Sequence, residues 1–368
     1  MIHKKRNWRI LSLMFLIPAI IQANAQNTLS LAANLMQPGD SVTKERVEYV
    51  YSGEGGENAV WDFSNLDPEN TYYIKYDTIS DSQLVGYDMQ KTYNYRFIND
   101  SLLMTGYESP LLSVEYQQPL LIQSFPLKFG QTYSADYQGE GRYCGTHFER
   151  DFGSVKITAD AIGTLILSEK DTLPNTLRVY TINTEAIRLN RDSCRNDSDN
   201  MKLVITEQYQ WYAHGYRYPV FETMTSSSYN NTEHVATQQM AYRCLPEIQM
   251  ELNDSISDRI RQEARFTVDR TAFSGESSKT SQNNDAGFTY DLIVNGKTVT
   301  ITYTIEHTAT IRVLIVDIMG NIYQNIQQTN PEGYNYSVSI DCSSLRRGQY
   351  IAYINVNGNI YNKKFPIK

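Results

Sequence analysis

Short strand patterns separated by turn residues recur along almost the whole chain, and this feature constrains the fold most strongly. Examples are Tyr93–Ile98, Leu102–Tyr107 and Val155–Ile162, where aromatic or β-branched residues recur at short intervals. Such residues fit the pleated, half-buried surface of a strand, and the chain has 28 Tyr among its 368 residues. Long patterns with a helical period are scarce. The sequence therefore predicts an all-β fold.

A polar stretch divides the strand patterns into two groups. Residues 26–250 are dense in strands, which is typical of a sandwich or barrel, and we expect a larger N-terminal β-sandwich-like domain of unknown function there. Residues 251–287 are rich in polar residues and predict a polar linker with one short helix at Ile256–Phe266, so few contacts should cross it. Residues 288–368 carry about seven strand patterns, which predict a small immunoglobulin-like β-sandwich.

The N-terminus has the organisation of a secretory signal peptide. Lys4, Lys5, Arg6 and Arg9 form a positive stretch with no acidic residue, the apolar run Ile10–Ile21 follows, and Ala23-Asn24-Ala25 supplies small residues for cleavage before Gln26. The apolar run is too short for an ordinary membrane span, so we expect no span once residues 1–25 are removed. An uncleaved anchor helix is the alternative interpretation.

The negative net charge of the chain argues against two classes of binding partner, nucleic acid and anionic lipid. The formal net charge is −8, and removing the four basic residues of the signal peptide takes it to −12. A chain this acidic has no electrostatic footprint for nucleic acid. Recruitment to an anionic lipid surface by charge is equally unsupported.

Four cysteines permit three complete disulfide connectivities. They are Cys144, Cys194, Cys244 and Cys342. Export allows disulfides, and we expect Cys144–Cys194, because strand-rich sequence brackets both and each lies beside loop residues. Free buried thiols are the alternative. No Cys or His spacing indicates zinc, so no metal and no cofactor is predicted.

No motif of a known catalytic class is present. The chain has no Gly-x-Ser-x-Gly, no HExxH and no phosphate-binding Gly loop, so we assign no catalytic residues and favour a protein that is not an enzyme. The densest aromatic cluster could stack on sugar rings, although burial of these rings is the competing interpretation. The cluster comprises Tyr209, Trp211, Tyr212, Tyr216 and Tyr218.

The C-terminal segment carries three motifs in a fixed order. Arg312–Gly320 is a strand pattern ending in Asp and Gly before a turn, Leu345–Tyr350 reads Leu-x-x-Gly-x-Tyr, and Lys363–Lys368 is a basic terminus. In this order they resemble the C-terminal sorting domain of the type IX secretion system. The resemblance assigns the sorting signal to Asp317, Gly320, Leu345, Gly348, Tyr350, Lys363, Lys364 and Lys368.

This resemblance implies a destination and partners. Sorting domains of this family direct passage across the outer membrane, so the implied partner is the secretion machinery. A surface polysaccharide is a further implied partner, because the family's tails are often cut off as the protein is joined to one. The expected location is the cell surface or the extracellular space, or the periplasm where the pathway is absent.

A weaker resemblance covers roughly residues 30–225. Pro38–Ser41, Trp61–Leu66 and Tyr209–Gly215 look like the uncharacterised β-rich regions often found ahead of such domains. That group implies no activity. The sequence therefore favours a secreted, non-enzymatic surface or extracellular β-protein. A carbohydrate-binding module, or an extracellular hydrolase with an unrecognised site, is the alternative.

Overall fold

The computed structural model describes residues 28–80, 83–168, 170–190, 201–252, 254–268 and 287–368. The predicted signal peptide, residues 1–25, lies outside these ranges, so its cleavage stays a prediction. Within the described ranges nearly all regular structure is strand, and the all-β prediction is confirmed. We call residues 28–268 the body and residues 288–368 the C-terminal domain.

The body contains fifteen strands and three helices among its described residues. The strands are β1 Thr28–Leu29, β2 Ser41–Val47, β3 Gly56–Asp62, β4 Pro68–Ser80, β5 Gln83–Asp88, β6 Lys91–Ile98, β7 Ser101–Glu108, β8 Leu112–Ser124, β9 Leu127–Lys128, β10 Thr132–Tyr143, β11 His147–Ile166, β12 Thr172–Asn190, β13 Met201–Tyr212, β14 Phe221–Asn230 and β15 Glu233–Arg243. The helices are α1 Leu31–Asn34, α2 Pro246–Met250 and α3 Ser255–Val268.

Twelve strands of the body form one sheet that closes on itself. Their order is β10-β8-β7-β6-β5-β4-β2-β15-β14-β13-β12-β11. The last strand, β11, also pairs with the first, β10, from Thr132↔Thr158 to Tyr143↔His147, and this pairing closes the sheet. Strand β3 adds to β11 in parallel. The predicted sandwich-like form is therefore corrected to a closed, barrel-like sheet. The alternating pattern could not decide this, because sandwiches and closed sheets share it.

The two longest strands show how alternation builds the closed sheet. Along β11, Val155, Ile157 and Ala159 point inward to an apolar core, and Leu177 and Val179 of β12 join them. Successive side chains of a strand point to opposite faces. The intervening positions of β12 therefore point outward, and several of them are also buried. The outer face of the sheet must therefore be covered.

The C-terminal domain is a seven-stranded sandwich. Its sheets are β16-β17-β20 and β19-β18-β21-β22, and one apolar core lies between them. The strands are β16 Thr289–Asn295, β17 Thr298–Ile305, β18 Ala309–Asp317, β19 Ile322–Asn330, β20 Gly333–Asp341, β21 Gly348–Val356 and β22 Asn359–Ile367. Two sheets sharing a core match the expected architecture and strand number.

The predicted helix in the polar stretch is confirmed, and it is fixed to the body. Helix α3 spans Ser255–Val268. The Asp254 carboxylate accepts hydrogen bonds from the backbone N–H groups of Ile256 and Ser257, as an N-cap does. Asp254 also pairs with buried Arg217 of the body at 2.7 Å. The first half of the predicted linker therefore belongs to the body.

Candidate functional site

One turn in the C-terminal domain is organised by a single carboxylate. Asp317 ends β18 and accepts hydrogen bonds from the backbone N–H groups of Met319 at 2.8 Å and Asn321 at 3.0 Å, and from Tyr323 Oη at 2.9 Å. Gly320 completes the turn with a φ of +81°, a conformation that disfavours side chains with a Cβ. Two of the predicted sorting residues, Asp317 and Gly320, therefore define the shape of this turn.

Two further predicted sorting residues belong to the core. Leu345 is 5% exposed. Tyr350 is also buried, its ring lies 5.6 Å from that of Tyr323 and 6.1 Å from that of Phe365, and its hydroxyl donates to the Arg346 carbonyl at 3.0 Å. These side chains hold the loop before β21 in place. They are not themselves available to a partner.

The remaining predicted sorting residues are exposed. Gly348 starts β21, and Lys363, Lys364 and Lys368 lie along or after β22. Lys364 is 3.4 Å from Glu233 of the body, but both side chains are largely exposed, so this pair contributes little to stability.

A basic end distinguishes the sandwich from the acidic chain around it. Exposed Arg346 and Arg347 lie in the loop before β21, and the pairing of Gly348 with Ile367 brings exposed Lys368 beside them. The C-terminal domain carries seven Lys or Arg and five Asp or Glu, within a chain whose net charge is −8. We call Arg346, Arg347 and Lys368 the basic end.

An apolar interface joins the C-terminal domain to the outer face of the closed sheet. It buries residues of β12, β13 and β14 against β18 and β21. The expectation that few contacts cross the polar stretch is therefore wrong. The buried members are Tyr180, Ile182, Leu203, Ile205 and Tyr229 of the body with Leu314, Val316, Ile351 and Tyr353 of the C-terminal domain.

A buried ion pair lies within this interface. Arg312 Nη1 of β18 is 2.9 Å from Glu207 Oε1 of β13, and the two side chains are 7% and 1% exposed. Glu207 also accepts hydrogen bonds from Tyr353 Oη at 2.6 Å, Asn355 Nδ2 at 2.6 Å and Tyr180 Oη at 2.8 Å. The carboxylate is thus bonded by three groups of the C-terminal domain and one of the body.

Arg312 is held equally closely. Its guanidinium carbon lies 3.6 Å from the centre of the Tyr180 ring, and Nη1 donates to Tyr209 Oη at 2.7 Å. Burial alone would raise the pKa of Glu207, but Arg312 and the three donors outweigh it and hold that pKa below its usual range. The pair therefore stays ionised at neutral pH.

Polar contacts surround the apolar interface. Thr184 of β12 donates to the Gly320 carbonyl, and Gln239 Nε2 of β15 donates to the Gly358 carbonyl at 2.8 Å. Thr310 Oγ1 of β18 donates to the Glu54 carboxylate of the body at 3.0 Å. The interface therefore has an apolar centre and hydrogen bonds near its edges, as specific protein interfaces do.

The five aromatic residues proposed for sugar stacking do not form an exposed row. Trp211 is fully buried against Trp61, Phe63 and Phe221. Tyr209 belongs to the Arg312 network, and Tyr218 is 7% exposed with its hydroxyl donating to Asp40 at 2.7 Å. Only Tyr212 and Tyr216 line a common cavity.

That cavity has a volume of about 310 Å³ and lies beside α1 and α3. Both apolar and polar side chains line it, together with the loop 213–216. Its walls include Thr28, Leu29, Asn34, Lys128, Leu177, Tyr212, His214, Tyr216 and Ile260.

A second cavity, of about 270 Å³, lies against the inward face of the closed sheet. Glu185 lines it, and Asp151 of β11 lies nearby with 0% exposure and no hydrogen-bond partner for either carboxylate oxygen. Burial, together with Glu185 and Glu149, raises the pKa of Asp151 to about 9. This cluster was not predicted from the sequence. The sequence pattern that indicates it is that Glu149 and Asp151 lie at alternate positions of β11, on the same face as the inward-pointing Val155 and Ile157.

The predicted disulfide stays a prediction. Cys144 is exposed in the turn between β10 and β11, whereas Cys194 lies outside the described residues. Cys244 and Cys342 are buried free thiols. Within the described ranges, no group of three or more His, Cys, Asp or Glu is arranged to hold a metal ion. No helix of those ranges is long and apolar enough to span a membrane.

Comparison with known proteins identifies the C-terminal part of the chain. No curated protein matches the sequence, so the resemblance predicted for residues 30–225 is unconfirmed. Residues 295–368 match the model of one family, and the matched range includes the Asp317 turn, the basic end and the interface residues of β18 and β21. That family is the secretion system C-terminal sorting domain, so the sorting resemblance read from the sequence is confirmed for this part of the chain.

Proposed function

We propose that this is a protein exported to the cell surface or the extracellular space, in which the C-terminal domain carries the sorting signal and the body is a non-enzymatic binding or structural module. The observation that carries the proposal is the match of residues 295–368 to the sorting-domain family. The secretion machinery is the partner that this match implies.

The secretion machinery can bind only the part of the C-terminal domain surface that the body does not cover. One face of the β18–β21 sheet is buried against β12–β14, and Leu345 and Tyr350 are in the core. The basic end is exposed, and its charge is opposite to that of the chain as a whole. Charge complementarity speeds encounter and selects partners. An acidic surface on the machinery is therefore the expected counterpart of the basic end.

The test is a charge reversal at the basic end in a host that has the pathway. Arg346→Glu with Arg347→Glu should leave the protein folded but retained in the periplasm, measured by fractionation together with circular dichroism. The matched control, Lys75→Glu with Lys170→Glu, reverses two exposed charges of the body and should be exported normally. Normal export of the Arg346/Arg347 variant would contradict a role for the basic end. Normal export after deletion of residues 288–368 would contradict the sorting function itself.

A second candidate function is binding of a small carbohydrate by the body. It is favoured by the 310 Å³ cavity, because Tyr212 and Tyr216 line it beside polar groups, and ligand sites combine apolar walls with a few polar groups. Titration calorimetry with mono- and disaccharides would test it. Tyr216→Ala should abolish any heat of binding, whereas Tyr334→Ala, at an exposed position of the C-terminal domain, should not.

A further inference from the structure

The outer face of β12–β14 differs from an ordinary solvent-facing sheet surface. Tyr180, Ile182, Leu203, Ile205 and Tyr229 lie there, and all are at most 4% exposed because the C-terminal domain covers them. Uncovered, they would form a contiguous apolar surface, which soluble proteins rarely leave exposed. The body is therefore built to keep this face covered.

A buried charge at the centre of this face also requires the C-terminal domain. Glu207 is buried, its countercharge is Arg312, and two of its three hydrogen-bond donors, Tyr353 and Asn355, also come from the C-terminal domain. Removing the C-terminal domain would take away the countercharge and these two donors together. A carboxylate among apolar side chains without its partner is strongly unfavourable.

The C-terminal domain also has an apolar face that contacts the body. In β18, Ile311, Val313 and Ile315 fill the core of the sandwich, whereas Leu314 and Val316 on the opposite face contact the body. A strand buried on both faces loses half of its packing if the domain detaches. The body and the C-terminal domain are therefore both more stable when bound to each other. The contacts between their described residues do not involve the covalent connection through residues 269–286.

We infer that the outer face of β12–β14 is a permanent binding site for the chain's own C-terminal domain, which stays bound to the body after the connection between them is cut. The sorting domain is then a structural part of the exported protein as well as an address. Proteolysis between the two parts would by itself not release the C-terminal domain. This inference does not depend on export, since it concerns contacts within the purified chain.

The test uses the full chain without residues 1–25, with a site for a specific protease inserted between Ser277 and Ser278. After complete cleavage, gel filtration at neutral pH should show both fragments eluting together at the mass of one chain. Because the contact is largely buried, 1 M salt should not separate them. Separation of the wild-type fragments would overturn the inference. A complex with the mass of two chains would also overturn it, because the partner would then be a second copy.

Variants with the same insertion identify the contacts responsible. Arg312→Met should weaken the association of the fragments about 100-fold or more, since it leaves Glu207 buried without a countercharge. Arg46→Met removes an exposed pair with Glu69 in the body and should leave co-elution unchanged. Separation of the Arg46→Met fragments, or undiminished affinity in Arg312→Met, would contradict the proposed site. Failure of export in the host would count against the proposed function alone and would not alter these results.

Discussion

Replacing Arg312 with Met tests the energetic role of the interface in the intact chain. The substitution keeps most of the apolar stem and removes the charge that faces Glu207 at 2.9 Å. Breaking a buried ion pair from one side costs about 3–5 kcal/mol. Glu207 keeps its bonds from Tyr180, Tyr353 and Asn355, so we expect a value near 3 kcal/mol.

The pH dependence separates this explanation from lost packing. In the wild type the folded protein lowers the pKa of Glu207. Ionised Glu207 therefore contributes stability above its pKa in the unfolded chain, and this contribution is lost as pH falls through its pKa in the folded protein. Without Arg312, burial dominates and raises the pKa of Glu207. The variant's deficit should therefore be largest at pH 7 and shrink towards pH 5, because a protonated Glu207 tolerates burial.

The assay is urea unfolding followed by the fluorescence of Trp61 and Trp211, at pH 7 and pH 5, with Arg46→Met as the control. The control should differ from the wild type by less than about 1 kcal/mol at either pH. An Arg312→Met deficit below about 1 kcal/mol at pH 7 would refute the reasoning. A larger deficit with no pH dependence would mean that packing, and not charge, holds the interface.

Three further predictions concern other parts of the chain. Mass spectrometry of the exported protein should find Gln26 at its N-terminus, and a start upstream of Gln26 would contradict removal of residues 1–25. Limited proteolysis should cut first within the polar residues 269–286, because Asp254 binds the start of helix α3 to the body, and a first cut inside residues 300–368 would contradict this. Asp151→Asn should stabilise the protein by at least about 1 kcal/mol at pH 8 in urea unfolding. The pKa of Asp151 in the folded protein is about 9, far above its ordinary value of 3.8. The wild-type protein therefore loses stability as pH rises from 3.8 to 9. An equal effect of Asp151→Asn at pH 4 and pH 8 would contradict this raised pKa.

The strands and the sorting motif could be predicted because their signals are local. Alternation in β11 and β12 follows from a period of two, and the Asp317 turn depends on a carboxylate a few residues from its donors. Closure of the sheet could not be predicted in the same way. It depends on which strands pair, and the pattern within each strand is the same whether the sheet closes or splits into two layers.

Two features of the sequence indicate the interface, although it was not predicted from them. Six of the nine residues of β18 are apolar, including the continuous run Val313–Val316, which indicates a strand covered on both faces, whereas a free sandwich would have one polar face. Glu207 stands in the outward row of Ile205, Tyr209 and Trp211, so a buried partner was needed for it. The partner itself, Arg312, is 105 residues away in sequence, and no local rule connects the two.

Closure of the sheet also has a consequence for the order in which the chain can fold. Strand β2 pairs with β15 through Glu45↔Arg243 and its neighbours, so strands near the two ends of the body complete the ring. A chain that crosses a membrane from its N-terminus presents β2 with one edge unpaired until residue 243 has emerged. Contacts of such long sequence separation form slowly, and open strand edges invite pairing with other chains. The yield of the folded protein should therefore depend on how quickly the last strand of the ring follows the first.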